Sequence, residues 1–352
     1  MSQVSEIRTH PGLERPINPL ISVCIANYNG SKYIEQCIQS VITQDVSCNI
    51  EIIVHDDAST DDSIALIALR FPNVKIVASK TNVGFCISNN RMVLRSHGEY
   101  ILLLNNDAVL RPHSLQKLFK HAETVEQPRI LSLPQYSITD GNLVDRGYDF
   151  DLFMNPVPLF MQGIQDVSTV TGACLWIPRI IWDDVGGFPE WFESVAEDIF
   201  ICQAARLLGY SVTMLDSPGF DHWIGRNLGG GKLMNGRLAS TARRRALSER
   251  NKTFVIMMCY PALLVAVMLP LHFGFLAAEA AALLVSGVSL RNIKLIYFSL
   301  PTSLLRNIRD VIAVRQRIQS KRRAKFSSYL RRFRWIPWKL RMLFVYGIPK
   351  LH

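Results

Sequence analysis

The chain has 352 residues, 49% of them hydrophobic and 19% charged, with a formal net charge of +10. That composition supports a sizeable buried core. The seven cysteines are scattered and none forms a CxxC pair, so free thiols in a reducing compartment fit better than a disulfide framework or a zinc site.

Residues 1–18 form a polar, Pro-bearing tail without the apolar core of a secretory signal, so the soluble part is expected to stay cytoplasmic. Strand-like and helix-like segments then alternate. The runs "LISVCIANY", "IEIIVHDDAS", "VKIVAS" and "EYILLLNND" read as buried strands. Between them, "SKYIEQCIQSVITQ", "STDDSIALIALRF" and "FCISNNRMVLRSH" carry helical spacing. Continuous apolar strands alternating with helices predict an α/β fold with a mostly parallel sheet and flanking helices. Ligands bind such sheets at the carboxyl ends of the strands. Three strands end in polar groups there: Asn27 and Tyr28, Asp56 and Asp57, and Asn105 to Asp107. From 131 to 170 the pattern weakens into loops and short strands. A strand, helix and Gly turn over 170–192, an amphipathic helix over 196–210 and a last strand, "SVTMLD", follow.

After 250 the composition changes. Residues 254–273 contain no formal charge, and the apolar run continues to 290 with Glu279 alone. Twenty apolar residues approach the length that spans a bilayer, although Pro261, Pro270 and Glu279 leave a hairpin or interfacial helices equally open. Between Arg306 and Lys350, fourteen Lys/Arg face one acid, Asp310, so the basic character belongs to this tail. Cations interleaved with Phe, Trp and Tyr in "KRRAKFSSYLRRFRWIPWKLRMLFVYG" favour an anionic membrane surface over nucleic acid, with the tail on the cytoplasmic side.

Five stretches could carry chemistry. Asp56 and Asp57 could accept hydrogen bonds from a nucleobase or ribose, while Ser59, Thr60 and Asp61 read as helix caps. Gly84, in "NVGFCISNN", allows close backbone approach. Asp107 could bind a divalent cation, with a diphosphate completing the shell. Glu197 and Asp198 open a helix, where an acid could serve as general base. In "GFDHWIGRNLGGGK", His222 with Asp221 could supply a metal ligand, Arg226 or Lys232 could meet phosphate, and three glycines suggest a lid.

These motifs in this order resemble the family 2 glycosyltransferases of the GT-A fold over roughly residues 20–225, and most resemble their rhamnosyltransferase-like members. The resemblance implies three segments: the tail 1–18, a GT-A domain over 19–250, and a hydrophobic and basic membrane-associated helical region over 251–352. It implies a nucleotide-diphosphate sugar donor bound by Ala26, Tyr28, Asp56, Asp57, Asn82, Gly84 and Asn106. It gives Asp107 and His222 a divalent cation, Mg or Mn, gives Asp198 the general-base role with Glu197 supporting it, and puts Gly172 and Arg226 on the acceptor side. The implied acceptor is a glycan or polyprenyl-linked hydroxyl. Asn105 stands where the family's Asp-x-Asp signature has its first acid. That departure raises the alternative of a membrane-tethered nucleotide-sugar-binding module with little or no turnover. A Gln-x-x-Arg-Trp motif, the mark of processive synthases, is not found, and the His of "HDD" has no explanation from sequence.

Overall fold

A computed structural model describes residues 7–10, 16–223, 230–234, 237–347 and 350–351. The chain forms two compact units: Met1–Gly147, Phe160–Ser194 and Tyr210–Trp223 make the first, and Tyr148–Leu159, Val195–Gly209 and Ile224–His352 the second.

The first unit opens with β1 (Ile7–His10), β2 (Ile21–Asn27), α1 (Ile34–Ile42), β3 (Ile50–Asp56), α2 (Ser63–Arg70), β4 (Lys75–Ser79), α3 (Phe85–Leu94) and β5 (Tyr100–Asn105). Strand β6 (Ala108–Leu110), helix α4 (Ser114–Thr124) and strands β7 (Arg129–Ser132), β8 (Gln135–Ser137) and β9 (Leu143–Asp145) follow. Next in the chain come β10 (Tyr148–Asp151) and β11 (Pro156–Pro158) of the second unit, then β12 (Gln165–Asp166), β13 (Cys174–Pro178) and α5 (Arg179–Val185) of the first. Helix α6 (Glu197–Leu207) belongs to the second unit, and β14 (Ser211–Met214) and β15 (Phe220–His222) complete the first.

The main sheet has the order β1-β4-β3-β2-β5-β13-β7-β14-β12. The run β4-β3-β2-β5 is parallel, as the alternating pattern predicts. The expectation of a mostly parallel sheet is corrected beyond it: β1, β13 and β12 pair antiparallel to their neighbours, so the sheet is mixed. A fully buried strand reads as an unbroken apolar run in either direction, so "CLWIP" carries no mark of its polarity. From β2 the chain builds outward through β3 and β4, then returns through α3 to β5 on the other side of β2. The crevice at the carboxyl ends of β2 and β5 is thus a topological switch point, the usual ligand position in open α/β sheets.

The strands hold this crevice because their bodies are locked in the core. Ile101 to Leu104 of β5 are 0–2% exposed. Each such side chain contributes roughly 1.5–3 kcal/mol of burial, which offsets the cost of gathering polar groups at the strand end. A second, four-stranded sheet, β6-β15-β8-β9, brings the segment after β5 beside His222.

The second unit continues with β16 (Gly230–Met234), β17 (Arg237–Ser240), α7 (Ala242–Cys259), α8 (Ala262–Val285), α9 (Leu290–Ile293), a π-turn at Lys294–Phe298, α10 (Ser299–Ser320), α11 (Phe326–Leu330), β18 (Phe333–Arg334), α12 (Trp338–Tyr346) and β19 (Lys350–Leu351). The boundary expected near residue 250 falls inside α7. The apolar run 254–273 is not one helix: α7 ends at Cys259, and Pro261 precedes the start of α8. Among the described residues, α8 is the helix long and apolar enough to cross a membrane, by length and composition only. The C-terminal carbonyls of α7 are met from α10, where Arg315 donates to Met257 and Tyr260 and Gln319 to Met258 and Cys259. Glu279 of α8 pairs with Arg245 and with Lys339 of α12, so part of the basic tail is spent on internal pairing. All seven cysteines are free, and six are buried.

Candidate active site

Asn27, the last residue of β2, ties three chain segments together. Its Nδ2 donates to Asp56 Oδ1 at 2.8 Å, and its Oδ1 accepts from Asn106 Nδ2 at 2.8 Å. Asp56 is fully buried and also accepts from the Ser59 hydroxyl at 2.6 Å and the Ser59 amide at 3.0 Å. Asp56 and Asn106, expected to face a ligand, are therefore turned inward as the fastening of the rim. Gly30 permits this closeness: a Cβ there would lie 2.1 Å from Asn27 Oδ1 and 2.3 Å from Asn106 Nδ2. The expected caps act in the same fastening. Asp61 accepts from the Ser31 amide, and no side chain caps α2 at Asp62.

Asp57 is 5% exposed and accepts from the amides of Val83 (2.6 Å) and Gly84 (2.8 Å). Burial raises its carboxyl pKa, and those two donors work against the rise. Gly84 has φ +89°, in the left-handed region that favours glycine. Asn82 and Tyr28 are exposed and Ala26 is half-buried on the same strand ends and loop. Asn90 clamps the loop after α5, donating to Phe188 O and accepting from Phe188 N. His55 is buried with Nε2 3.1 Å from Ser79 Oγ. Burial first, then Arg91 and Arg95, push it down to about 3, so this imidazole is a neutral core residue.

Asp107 and His222 meet, although 115 positions separate them: His222 Nε2 lies 3.0 Å from Asp107 Oδ1. The register sets this, since β15 places His222 opposite Ala108, and Trp223 N donates to Asp107 O at 3.1 Å. Asp221 points elsewhere. It pairs with Arg111 at 2.8 Å, and Arg111 stacks on Tyr136 at 3.6 Å, which fixes the small sheet. Asn105 Nδ2 is 3.4 Å from His222 Nε2, while its Oδ1 is buried with no hydrogen-bond partner among the described residues. Gln135 Nε2 is 3.1 Å from His222 Nδ1. No group of three or more His, Cys, Asp or Glu gathers among the described residues. One carboxylate, one imidazole and an unpartnered amide oxygen fit a hard divalent cation whose remaining ligands come from a substrate. The sequence marks Asn27 as a polar strand end but not as the bridge between segments, and it does not mark Gln135. Asn27 had a signal, a polar residue closing a buried strand; Gln135 lies in the weakly patterned 131–170 and had none.

In the second unit, Glu197 and Asp198 open α6. Asp198 is half-buried and its Oδ1 accepts from the Ile199 amide at 2.7 Å. Glu197 is buried, with Oε2 unpartnered among the described residues. Burial, then the charge of Asp198, pushes its carboxyl up to about 8, so it carries a proton near neutrality. The preceding backbone is strained: Val195 (φ +72°) and Ala196 (φ +67°) sit in the left-handed region, at roughly 1–2 kcal/mol each. Asn251 Nδ2 holds Val195 O at 2.7 Å. Gly172 is buried just before β13 in the first unit, and Arg226 lies outside the described residues. A cleft of about 520 Å³ beside α1, lined by Ser31, Glu35 and Leu110 among others, holds none of these residues.

Residues 22–160 match the model of Glycosyl transferase family 2, and residues 100–348 that of Glycosyl transferase family group 2. The chain is 29% identical over 139 residues to the chondroitin synthase of Escherichia coli, covering 38% of this chain and 20% of that protein. It is 30% identical over 188 residues to the hyaluronan synthase of Pasteurella multocida, covering 52% and 18%. The match thus spans about a fifth of the length of these relatives. Among solved structures, GalNAc-T7 with UDP, GalNAc and Mn2+ superposes with TM-score 0.63 at 13% identity, over 95% of this chain and 59% of that one. Staphylococcus aureus TarS with UDP-GlcNAc gives 0.52 at 17% identity, over 85% and 90%. At such identities the likeness shows the fold, a GT-A-like α/β domain with a mixed sheet. Since the second family model covers more than half of its 352 residues, the chain belongs to the family 2 glycosyltransferases.

Proposed function

We propose that the protein is an inverting transferase that moves a sugar from a nucleotide-diphosphate sugar to a hydroxyl of a glycan or polyprenyl-linked acceptor at the cytoplasmic face of a membrane. The observation that carries this reading is the Asp107–His222 pair at the switch point. Asp107 and His222 would hold Mg2+ or Mn2+, which when bound neutralises charge on the leaving diphosphate. Asp57 and Gly84 line the adjoining loop for the nucleoside, with Tyr28 exposed beside them. Asp198 takes the proton of the acceptor hydroxyl. The acceptor oxygen then bonds to the anomeric carbon as the bond from that carbon to the diphosphate oxygen breaks, giving a glycoside and a nucleoside diphosphate. A single displacement inverts the anomeric centre. Glu197, holding its proton, adds no second negative charge beside Asp198.

The reading as a single-transfer, rhamnosyltransferase-like enzyme draws support from the incomplete synthase motif: Gln203-Ala-Ala-Arg206 continues with Leu207, not Trp. Membrane docking draws support from exposed apolar residues of the second unit, including Leu263 and Phe275 of α8 and Phe344 of α12, and from its exposed cations Arg331, Arg334 and Arg341. The test is turnover of a panel of nucleotide sugars by wild type and Asp198→Asn. Loss of a general base lowers turnover roughly 10²–10⁴-fold with donor binding retained. Undiminished turnover would remove Asp198 from the mechanism.

A further inference from the structure

We infer that α8 lies flat in one leaflet of an anionic membrane, with its bare apolar face turned into the lipid, and does not cross the bilayer. The inference rests on the membrane reading above and adds to it the contact surface and its orientation.

Two residues of α8 have polar side chains, His272 and Glu279, and both turn toward the protein. His272 Nε2 lies 2.9 Å from the Thr253 hydroxyl oxygen of α7, and Glu279 pairs with Arg245 and Lys339. Leu276, Ala280 and Leu283 are buried on the same side, in one apolar cluster with Ile296 and Tyr297 of the π-turn. The other side of the helix is exposed and apolar without a break. It reaches from Leu263, 85% exposed, to Val285, 90% exposed, a distance of about 33 Å at the helical rise. Monomeric proteins rarely leave so large an apolar patch in water, and one of this length marks a contact surface.

Charge decides what covers it. Between Glu279 and Asp310 the chain has no acid, while Arg291, Lys294, Arg306 and Arg309 are exposed there, with Leu290, Leu295 and Phe298 exposed among them. Two copies meeting through this face would bring like charges together. Anionic headgroups instead attract the cations while acyl chains take the apolar strip. The orientation follows from the opposite side of the helix. A crossing α8 would carry His272, near its middle, toward the bilayer centre, and would draw Glu279 into hydrocarbon, where charge is costly. Lys339 also pairs with Glu249, and Glu249 with Lys252, so Glu279 belongs to one ionic group spread over α7, α8 and α12. Lying flat keeps all of these pairs and covers the bare face alone.

The experiment uses the full chain with vesicles of phosphatidylcholine, alone or mixed with phosphatidylglycerol. Leu263→Cys, Gly274→Cys and Val285→Cys are made singly with Cys48→Ser, since the other six cysteines are buried. Each position is eleven residues from the next and turned only about 20° from it, so the three share one line along the face. A Cβ at Gly274 meets nothing within 4 Å. Sedimentation reads vesicle binding. Spin labels on the new cysteines, probed by collision with oxygen and with a nickel chelate in electron paramagnetic resonance, read depth. All three labels are expected at one depth, roughly 5–10 Å into the headgroup–acyl boundary. A label at 274 about 15 Å deep, with 263 and 285 at opposite surfaces, is the profile of a crossing helix; it overturns the inference and leaves the membrane reading standing. Arg291→Gln with Lys294→Gln should lower binding to the phosphatidylglycerol vesicles roughly fivefold per cation lost. Equal binding of wild type to both kinds of vesicle overturns the anionic partner. Labels closed to both reagents with and without vesicles, together with a dimer in light scattering, assign the face to a second copy and overturn the inference as well. Wild type that sediments with neither vesicle overturns the membrane reading, and this inference with it.

Discussion

Truncating Asn27 to alanine tests whether the rim stands on the amide bridge between β2, β3 and the segment after β5. The substitution removes two buried hydrogen bonds, one to the Asp56 carboxylate and one from the Asn106 amide, both at 2.8 Å. Bonds to a charged group contribute about 1.5–3 kcal/mol and neutral ones about 0.5–1.5 kcal/mol. The expected loss is therefore about 2–4 kcal/mol. With a urea dependence of about 2 kcal/mol per molar, the unfolding midpoint should fall by about 1–2 M. Ser59→Ala is the control. It removes the bond from the Ser59 hydroxyl to Asp56 and the bonds that hydroxyl accepts from the Asn29 amide at 2.9 Å and Asn27 Nδ2 at 3.4 Å, leaving the Asn27–Asp56 and Asn27–Asn106 bonds in place, so its midpoint should fall by no more than that of Asn27→Ala. Since Asn106 precedes Asp107, Asn27→Ala should also weaken Mn2+ binding. A midpoint within about 0.3 M of wild type, or a larger effect from Ser59→Ala, would refute the bridge.

Glu197→Gln should flatten part of the pH dependence of stability. A carboxyl whose pKa rises on folding keeps its proton in the native state while the unfolded chain loses it, so wild type loses stability as pH climbs from the ordinary carboxyl range to about 8. The variant should lack that decline, and equal slopes in unfolding midpoint against pH would show that Glu197 is ionised in the fold. Gly84→Ala forces an L side chain to φ +89°, with its Cβ 3.3 Å from Glu193 O; it should cost roughly 1–2 kcal/mol and weaken calorimetric binding of whichever nucleoside diphosphate of a panel wild type binds, and unchanged affinity would place the nucleotide elsewhere. Trp335→Ser with Phe344→Ser, at positions 80% and 87% exposed, should release the chain from vesicles containing phosphatidylglycerol in sedimentation. Full retention would argue against this apolar face as the contact.

The alternation from β2 to β5 was legible because each strand is an unbroken apolar run and each helix carries its own period. The same apolarity hid the direction of β13. The small sheet was illegible because β6, β8, β9 and β15 have three residues each, too few for a period. His222 could be singled out as a residue type, but its meeting with Asp107 depends on strand register across 115 positions. Asp56 and Asn106 illustrate a different limit: a polar residue at a strand tip can face the ligand or fasten the rim, and only the partners separate the two.

Val195 and Ala196 keep left-handed backbone angles immediately before the acids of α6, although glycine would adopt them without strain. The most comfortable sequence at this turn is thus not the one the chain carries. A selection for heat resistance alone would be drawn to Val195→Gly, because relieving the angle favours the folded state. The same clones would let Asp198 wander, since a glycine at 195 no longer dictates where the first turn of the helix begins. Heat tolerance and turnover should then part company at this one turn, and improving both would require reinforcing the Asn251 clamp rather than relaxing the backbone it holds.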